Sequence, residues 1–333
     1  MTLHLTLLTP YYVCQVSDRL VTRTATQAAF DRSSNKNLIY RARDATVVLG
    51  YSGPAFLEGL PTDRWIAEKL RGEDLTDPPG MKGAIMMGRA PRWLDIGQSV
   101  ELLRSEFEGL FKKTGMRMGL YVVVAGWQKS GRERQNPILW QLYNNPPLDI
   151  YDSFQIERQP RRWHLEGDYP VKLAYAPEPW IPRFSQFSQD ELAYLLNHLS
   201  MMWLSPRNVI GVLREAVRRK SRVSPVVGAD CMCISFPHPR LGFIEAVYVG
   251  EGYHQGSFRT ESERKVTFRT GYSPWIIGPN EVFPPMAITG QYSHQLGDIE
   301  VRLIGPQHSA NSGPRVMTAM MGIDRPLPPG SRR

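Results

Sequence analysis

The chain has 333 residues, 42% of them hydrophobic and 22% charged, with a net charge of +8 at pH 7 and three cysteines. This composition suits a globular protein able to bury a sizeable core, and an odd, small cysteine count excludes a disulfide framework and points to a reducing, cytoplasmic compartment. With no basic N-terminal segment and no apolar run approaching about eighteen residues, neither a signal peptide nor a membrane span is expected.

Two short apolar runs open the chain, LHLTLLT (3–9) and YYVCQVS (11–17), broken at Pro10 so that the first returns antiparallel beside the second. Asp18 and Arg19 end the second run, Lys36 opens a third in NKNLIY, and TVVLGYSGPA (46–55) reads as a further strand. The spacing then predicts a helix over 54–72, broken at Pro61 with Thr62 capping its second piece, and another over 97–115, where Val100, Leu103, Phe107, Leu110 and Phe111 share one face. Runs at 118–128 and 137–144 form a central hairpin. Residues 145–187 are irregular and rich in Pro and Trp, which fits an ordered insert acting as a lid or an assembly contact. Helices over 188–204 and 205–221, each behind a Ser cap, lead into a hairpin over 229–236 and 241–249. From 251 to 333, short strands alternate with Gly/Pro turns.

Thr2, Asp18 and Lys36 make a chemical set. With Met1 removed, Thr2 carries a hydroxyl nucleophile and an α-amine of pKa about 8, so one residue supplies nucleophile and base. An ammonium beside that amine disfavours its protonated form, a role for Lys36, and a carboxylate keeps the ammonium charged and aimed, a role for Asp18. In order and spacing these pieces resemble the opening of proteasome-type β-subunits and their bacterial two-component relatives. That opening has an N-terminal Thr, an Asp sixteen residues on, a Lys opening a later strand, and a strand ending in a small residue plus Gly before the first helix.

The resemblance runs over about residues 2–250 and implies an α+β fold, a four-layer αββα sandwich of the N-terminal-nucleophile hydrolase type over 1–250, with a β-rich extension over 251–333. It implies an N-terminal-threonine amidohydrolase, a peptidase acting through an acyl-enzyme on Thr2, with no metal or cofactor and a peptide or other amide as substrate. By the same resemblance Gly53 offers its N–H to the developing oxyanion, and Val21, Ser34, Tyr51 and Ala55 receive the substrate side chain. None of these four is charged, so a small apolar side chain is expected. Assembly into a homo-oligomer, in the family a ring, is implied too, with Met201, Met202 and Trp203 as an apolar contact. Two supporting motifs of the family are missing: the corresponding regions read WIPRFSQFS and RVSPVVGAD, where Ser185 or Ser188, and Ser224, are the available substitutes.

Other readings stand beside this one. The family includes subunits that keep the fold without the nucleophile, so a catalytically inactive assembly subunit is the alternative. Arginine-rich groups at 158–162, 214–222 and 259–269 suit solvated faces or an acidic partner; a nucleic-acid role is a further alternative, but no recognisable reading element accompanies the charge. Cys231, Cys233 and His238 sketch a metal site without a second ligand pair, so buried thiols are the expectation. His4 and His164 have no partner legible in the sequence.

Overall fold

Pairing of the apolar runs decides the architecture. The computed structural model describes residues 3–8, 12–22, 28–31, 34–75, 86–131, 134–145, 149–158, 172–176, 206–237, 245–249, 256–259, 265–272, 274–284, 287–292, 299–304 and 316–321. They form a mixed α and β fold with three helices among the described residues. Strands β1 (His4–Leu8) and β2 (Tyr12–Asp18) pair antiparallel, as the break at Pro10 predicts. The short pair β3 (Val21–Thr22) and β4 (Ala29–Asp31) follows, then the antiparallel pair β5 (Asn37–Arg41) and β6 (Ala45–Ser52).

Residues 54–61 depart from the helix their spacing predicts. They close a small hairpin, β7 (Phe56–Leu57) with β8 (Leu60–Pro61), and helix α1 (Thr62–Arg71) begins only after Pro61. Glu58 and Gly59 hold φ of 49° and 81°, a left-handed turn that helical backbone excludes, and Pro61 brings no N–H. Strand β9 (Met86–Met87), helix α2 (Ile96–Thr114), the long hairpin β10 (Tyr121–Ser130) and β11 (Arg134–Asn145), and β12 (Ile150–Arg158) come next. Strand β13 (Lys172–Ala176), helix α3 (Pro206–Val223), β14 (Cys231–Pro237) and β15 (Glu245–Val249) complete the first 250 residues. The helix expected over 188–204, with Met201, Met202 and Trp203, lies outside the described residues, as do Ser185 and Ser188.

Seven strands follow: β16 (Gly256–Arg259), β17 (Lys265–Tyr272), β18 (Trp275–Ile277), β19 (Glu281–Phe283), β20 (Ala287–Tyr292), β21 (Ile299–Ile304) and β22 (Val316–Met321). A five-stranded sheet runs β13-β1-β2-β14-β15, and an eight-stranded sheet runs β12-β11-β10-β6-β5-β18-β19-β9. Strands β16, β17, β20, β21 and β22 make a third sheet. The C-terminal segment therefore enters the eight-stranded sheet directly, with β18 lying parallel to β5 and Trp275 opposite Leu38. Arg71, 2% exposed, ties that segment to α1 by donating to the Gly278 carbonyl at 2.7 Å and to the Gly88 carbonyl at 2.5 Å.

Three apolar clusters fill the spaces between elements, and the period-two alternation of the strands sorts side chains among them. From β6, Val47, Leu49 and Tyr51 pack with Trp65, Ile66, Phe107 and Phe111 of α1 and α2. Val48, facing the other way, joins Val13, Val123 and Ile234 between the two sheets. Cys14 and Val16 of β2 pack with Val209, Leu213 and Val217 of α3. Each fully buried Val, Leu or Ile contributes about 1.5–3 kcal/mol, so these clusters supply the main stabilisation. Cys14, Cys231 and Cys233 are free and buried, and burial pushes their thiols up, that of Cys233 to about 12. They act as small core residues, while His238 lies outside the described residues. Among the described residues no group of three or more His, Cys, Asp and Glu could hold a metal ion, and no helix is long and apolar enough to cross a membrane.

Candidate active site

Strand ends from both sheets meet at Asp18. Its residue pairs with Leu3 through both backbone and side chain: Asp18 N–H donates to the Leu3 carbonyl at 3.1 Å, and Leu3 N–H donates to Asp18 Oδ1 at 2.8 Å. The second carboxylate oxygen accepts from Leu20 N–H at 3.1 Å, Gly228 N–H at 3.1 Å and Lys36 Nζ at 3.2 Å. Lys36 also donates to the Leu20 carbonyl at 2.6 Å. With Lys36 and Asp18 exposed by 3% and 0%, this is a buried ion pair whose partners are both supported by further hydrogen bonds, the arrangement that offsets desolvation.

The structure therefore brings together two of the residues singled out from sequence, Asp18 and Lys36, at the end of β1 nearest Thr2. Thr2 itself lies outside the described residues. Strand β6 closes the same corner: Tyr51 N–H donates to the Lys36 carbonyl at 3.0 Å, and Gly53 follows two residues later. Gly53 holds φ of 142°, and a Cβ there would lie 2.5 Å from the Gly119 carbonyl, so both backbone angle and space require glycine. Arg19, 4% exposed, turns its Nε to the Ser34 carbonyl at 3.1 Å, while its own N–H meets the Asp230 carbonyl at 3.0 Å.

The four residues assigned to a substrate pocket are spread over this neighbourhood. Val21 is buried on β3, Ser34 and Ala55 are half-buried, and Tyr51 is buried with its ring in the helix-side cluster and its hydroxyl donating to the Asn35 carbonyl at 3.1 Å. Two exposed rings, Phe30 on β4 and Phe56 on β7, meet edge to face at 6.1 Å between centroids, joining the hairpin after Arg19 to the hairpin after Gly53. Sequence reasoning missed this pair, because an isolated Phe in a short loop carries no periodicity. It also missed Gly228, whose N–H reaches Asp18 across more than two hundred residues of chain. A tight-packing glycine in VVGAD was the available signal: a Cβ on Gly228 would come within 2.8 Å of Leu20 Cβ.

A third constellation has one visible sign in the sequence, polar residues at alternate positions of β1 and β2. His4, Thr6, Gln15, Ser17 and Asn37 are all 0% exposed between the two sheets. Asn37 Nδ2 donates to Gln15 Oε1 at 2.6 Å and meets His4 Nε2 at 3.2 Å, Gln15 Nε2 donates to Thr6 Oγ1 at 3.1 Å, and Ser17 Oγ donates to Asn37 Oδ1. Burial lowers the His4 pKa to about 3, Gln15 opposing and Lys36 adding to the effect, so the ring is neutral at pH 7. On the far side of β5, Asp63 at the start of α1 is also buried; burial raises its pKa to about 7 against the backbone N–H groups of the helix start, the Trp275 indole and Arg19.

No family model matches the chain, and no curated protein does. Among solved structures, an Anbu (Gly-1) mutant from Hyphomicrobium sp. strain MC1 is similar at 10% identity and a TM-score of 0.44, over 75% of this chain and 88% of that one. Anbu (ancestral beta-subunit) from Yersinia bercovieri gives 12% identity and a TM-score of 0.42, over 75% and 87%. Anbu from Hyphomicrobium sp. strain MC1 gives 9% and 0.43, over 75% and 88%. The assignment to the proteasome β-subunit family, read from order and spacing, is thereby overturned. Similarity this distant does not carry a family, and a Thr, an Asp and a Lys spread over 35 positions form too sparse a pattern to replace it. The local geometry stands on its own hydrogen bonds.

Proposed function

We propose that the corner formed by Leu3, Asp18, Lys36 and Gly53 serves an N-terminal-threonine amidohydrolase, acting on a peptide or other amide through an acyl-enzyme on Thr2 once Met1 is removed. One observation carries the reading: a buried ammonium and carboxylate, 3.2 Å apart, whose carboxylate also holds the amide of the residue following Thr2. An ammonium so placed disfavours a charged α-amine next to it and leaves that amine free to take the proton of the Thr2 hydroxyl. The same amine then delivers the proton to the leaving group, and Gly53 N–H is the proposed donor to the oxyanion, a contribution of about 3–4 kcal/mol. Val21, Ser34 and Ala55 are the proposed pocket, with the exposed Phe30 and Phe56 favouring an apolar substrate side chain at its edge, whereas the Tyr51 ring, expected there from sequence, is taken up by the helix-side cluster.

The stacking of the three apolar clusters, helices on one sheet, sheet on sheet, and sheet on helix, supports an αββα arrangement for this domain, with residues 251–333 as its β-rich extension. The free, buried thiols agree with a reducing, cytoplasmic compartment. Intact mass of the native N-terminus, paired with amide hydrolysis by wild type and Thr2→Ala, tests the function. The expected result is a chain lacking Met1 and a variant without turnover; a retained Met1 or an active Thr2→Ala protein ends the reading. A second reading is a non-catalytic scaffold. It is favoured by the four donors on Asp18, which would hold this corner together with or without chemistry, and it is the outcome if a chain lacking Met1 hydrolyses no amide.

A further inference from the structure

The buried polar group between the sheets has a geometry that its burial alone does not require. His4 and Ser17 are directly opposed on β1 and β2 of one sheet, and Asn37 and Gly50 are directly opposed on β5 and β6 of the other. The two pairs face each other. Gly50 makes room for the imidazole: a Cβ there would collide with His4 Nε2, Cε1 and Cδ2. Hydrogen bonds close the square, from Ser17 Oγ to Asn37 Oδ1 and from Asn37 Nδ2 to His4 Nε2. Since the Asn37 amide nitrogen only donates, His4 Nε2 must accept, so the ring's proton sits on Nδ1, aimed at Thr6 Oγ1 3.5 Å away. Thr6 in turn accepts from Gln15, and Gln15 Oε1 accepts the second Asn37 hydrogen. Every member of the ring has its role fixed.

Three of the site residues stand one position from a member of this square. Leu3 precedes His4, Asp18 follows Ser17, and Lys36 precedes Asn37. Asp18 belongs to one sheet and Lys36 leads into the other, so the spacing of the sheets at this point sets the reach of the ammonium. An apolar filling would hold two sheets together without fixing their lateral register; a closed ring of directional bonds fixes it.

We propose that His4 and Asn37, with Ser17, are positioning residues that lock the two sheets in register and so hold Lys36 at working distance from the α-amine of Thr2. The inference rests on the proposed Thr2 chemistry. Among the described residues, the charged and titratable groups around the site are Asp18 and Arg19 from β2 and the turn after it, Lys36 before β5, Asp230 and Cys231 at the start of β14, Arg218 of α3, and Asp63 of α1 on the side of Arg19.

The test uses the full-length chain and a β-lactone as probe. Thr2 Oγ attacks the lactone carbonyl, an ester forms, the ring C–O bond breaks, and the hydroxyl proton passes through the amine to the released oxygen, so the N-terminal peptide gains the whole mass of the probe. Labelling rates are measured against pH for wild type, Thr2→Ala, His4→Leu, His4→Gln and Ser17→Ala. In His4→Leu the rate is expected to drop by on the order of a hundredfold. Its pH midpoint should rise toward the ordinary α-amine value of about 8. In His4→Gln, whose amide can accept from Asn37 and donate to Thr6, both should return most of the way. A merely structural role would lower the amount of folded protein and leave the midpoint in place. Folded His4→Leu protein labelled at the wild-type rate with the wild-type midpoint overturns the proposal; if that variant does not fold, Ser17→Ala is judged by the same two criteria, a slower rate and a raised midpoint being expected. Wild type that takes no label, or Thr2→Ala that is labelled as fast, removes the Thr2 chemistry and the positioning role with it, a result distinct from normal labelling of His4→Leu.

Discussion

Two buried polar corners flank β5, and they are built on opposite terms. At the Asp18 corner both oxygens of the carboxylate are occupied, by three backbone N–H groups and one ammonium, and the neighbouring His4 ring of side chains is closed by hydrogen bonds. At the Asp63 corner the carboxyl oxygen Oδ2 and the Trp275 indole N–H are both buried, and neither meets a partner at hydrogen-bonding distance. Burial prevails there over the N–H groups of the helix start, the Trp275 indole and Arg19, and the pKa rises to about 7. Burial shifts the protonation of both His4 and Asp63, but only around His4 do closed hydrogen bonds also fix the geometry. The difference marks the first corner as the place where distances matter.

The largest effect should come from breaking the satisfied corner. Asp18→Ala leaves a buried ammonium and the N–H groups of Leu3, Leu20 and Gly228 without their acceptor, and removing one partner of such a pair costs about 3–5 kcal/mol. Lys36→Met should cost less, because Asp18 keeps its three backbone donors. Urea unfolding of both variants checks the order, and a Lys36→Met loss equal to that of Asp18→Ala would mean that the ion pair, not the amide cradle, holds the corner.

The pH dependence of stability separates the corners by sign. His4 has a folded pKa of about 3 against 6.5 unfolded, so the unfolded chain binds more protons between those values; its contribution is intact above pH 6.5 and is lost as pH falls toward 3. Asp63 runs the other way, about 7 folded against 3.8 unfolded, so its contribution is intact below pH 3.8 and is lost as pH rises toward 7. Between about pH 4 and 6.5 the two slopes oppose each other, each up to about 1.4 kcal/mol per pH unit. Asp63→Asn should therefore make stability rise more steeply with pH in that window than in wild type, and His4→Leu should make it rise less steeply or fall. Parallel curves for all three proteins would show that neither group titrates as its surroundings demand.

Gly50→Ala tests the contact that makes room for His4. The new methyl group must displace the imidazole, an overpacking cost of about 1–3 kcal/mol. With His4→Ala as background the same substitution should cost little, giving a coupling in a double-mutant cycle of about 0.5–3 kcal/mol. Additive losses would place the strain elsewhere.

How far the sequence discloses this architecture depends on the range of the contact. The hairpin β1–β2, the helices at 62–71 and 96–114, the β10–β11 hairpin and the strands of the C-terminal segment follow from periodicity and turn residues. The pairing of Asp18 with Lys36 was legible from spacing and chemistry. Gly228 on Asp18, β18 beside β5, and the His4 square were not, because each joins residues whose separation in sequence obeys no period. His4 in particular looks isolated along the chain; only the stacking of one sheet on the other gives it Asn37. Spacing misled as well, since the pattern of Thr2, Asp18 and Lys36 pointed to a family that the comparisons do not support.

The smallest effect expected sits where the two corners share a strand. Tyr51 holds the segment leading into Lys36 at two points, its N–H on the Lys36 carbonyl and its hydroxyl on the Asn35 carbonyl. Tyr51→Phe removes only the second bond and keeps the ring in the helix-side cluster, so a loss of about 0.5–1.5 kcal/mol is expected. The backbone bond and the His4 ring should still hold Lys36, so the pH dependence of stability ought to keep the wild-type slope. Calorimetry at pH 5 and pH 7 decides it. Equal losses at both values assign the Tyr51 hydroxyl to its bond with the Asn35 carbonyl alone. A larger loss at pH 5 would mean that its hydroxyl helps to keep the Asn37–His4 contact closed, and that the register between the sheets is shared with the strand after Lys36.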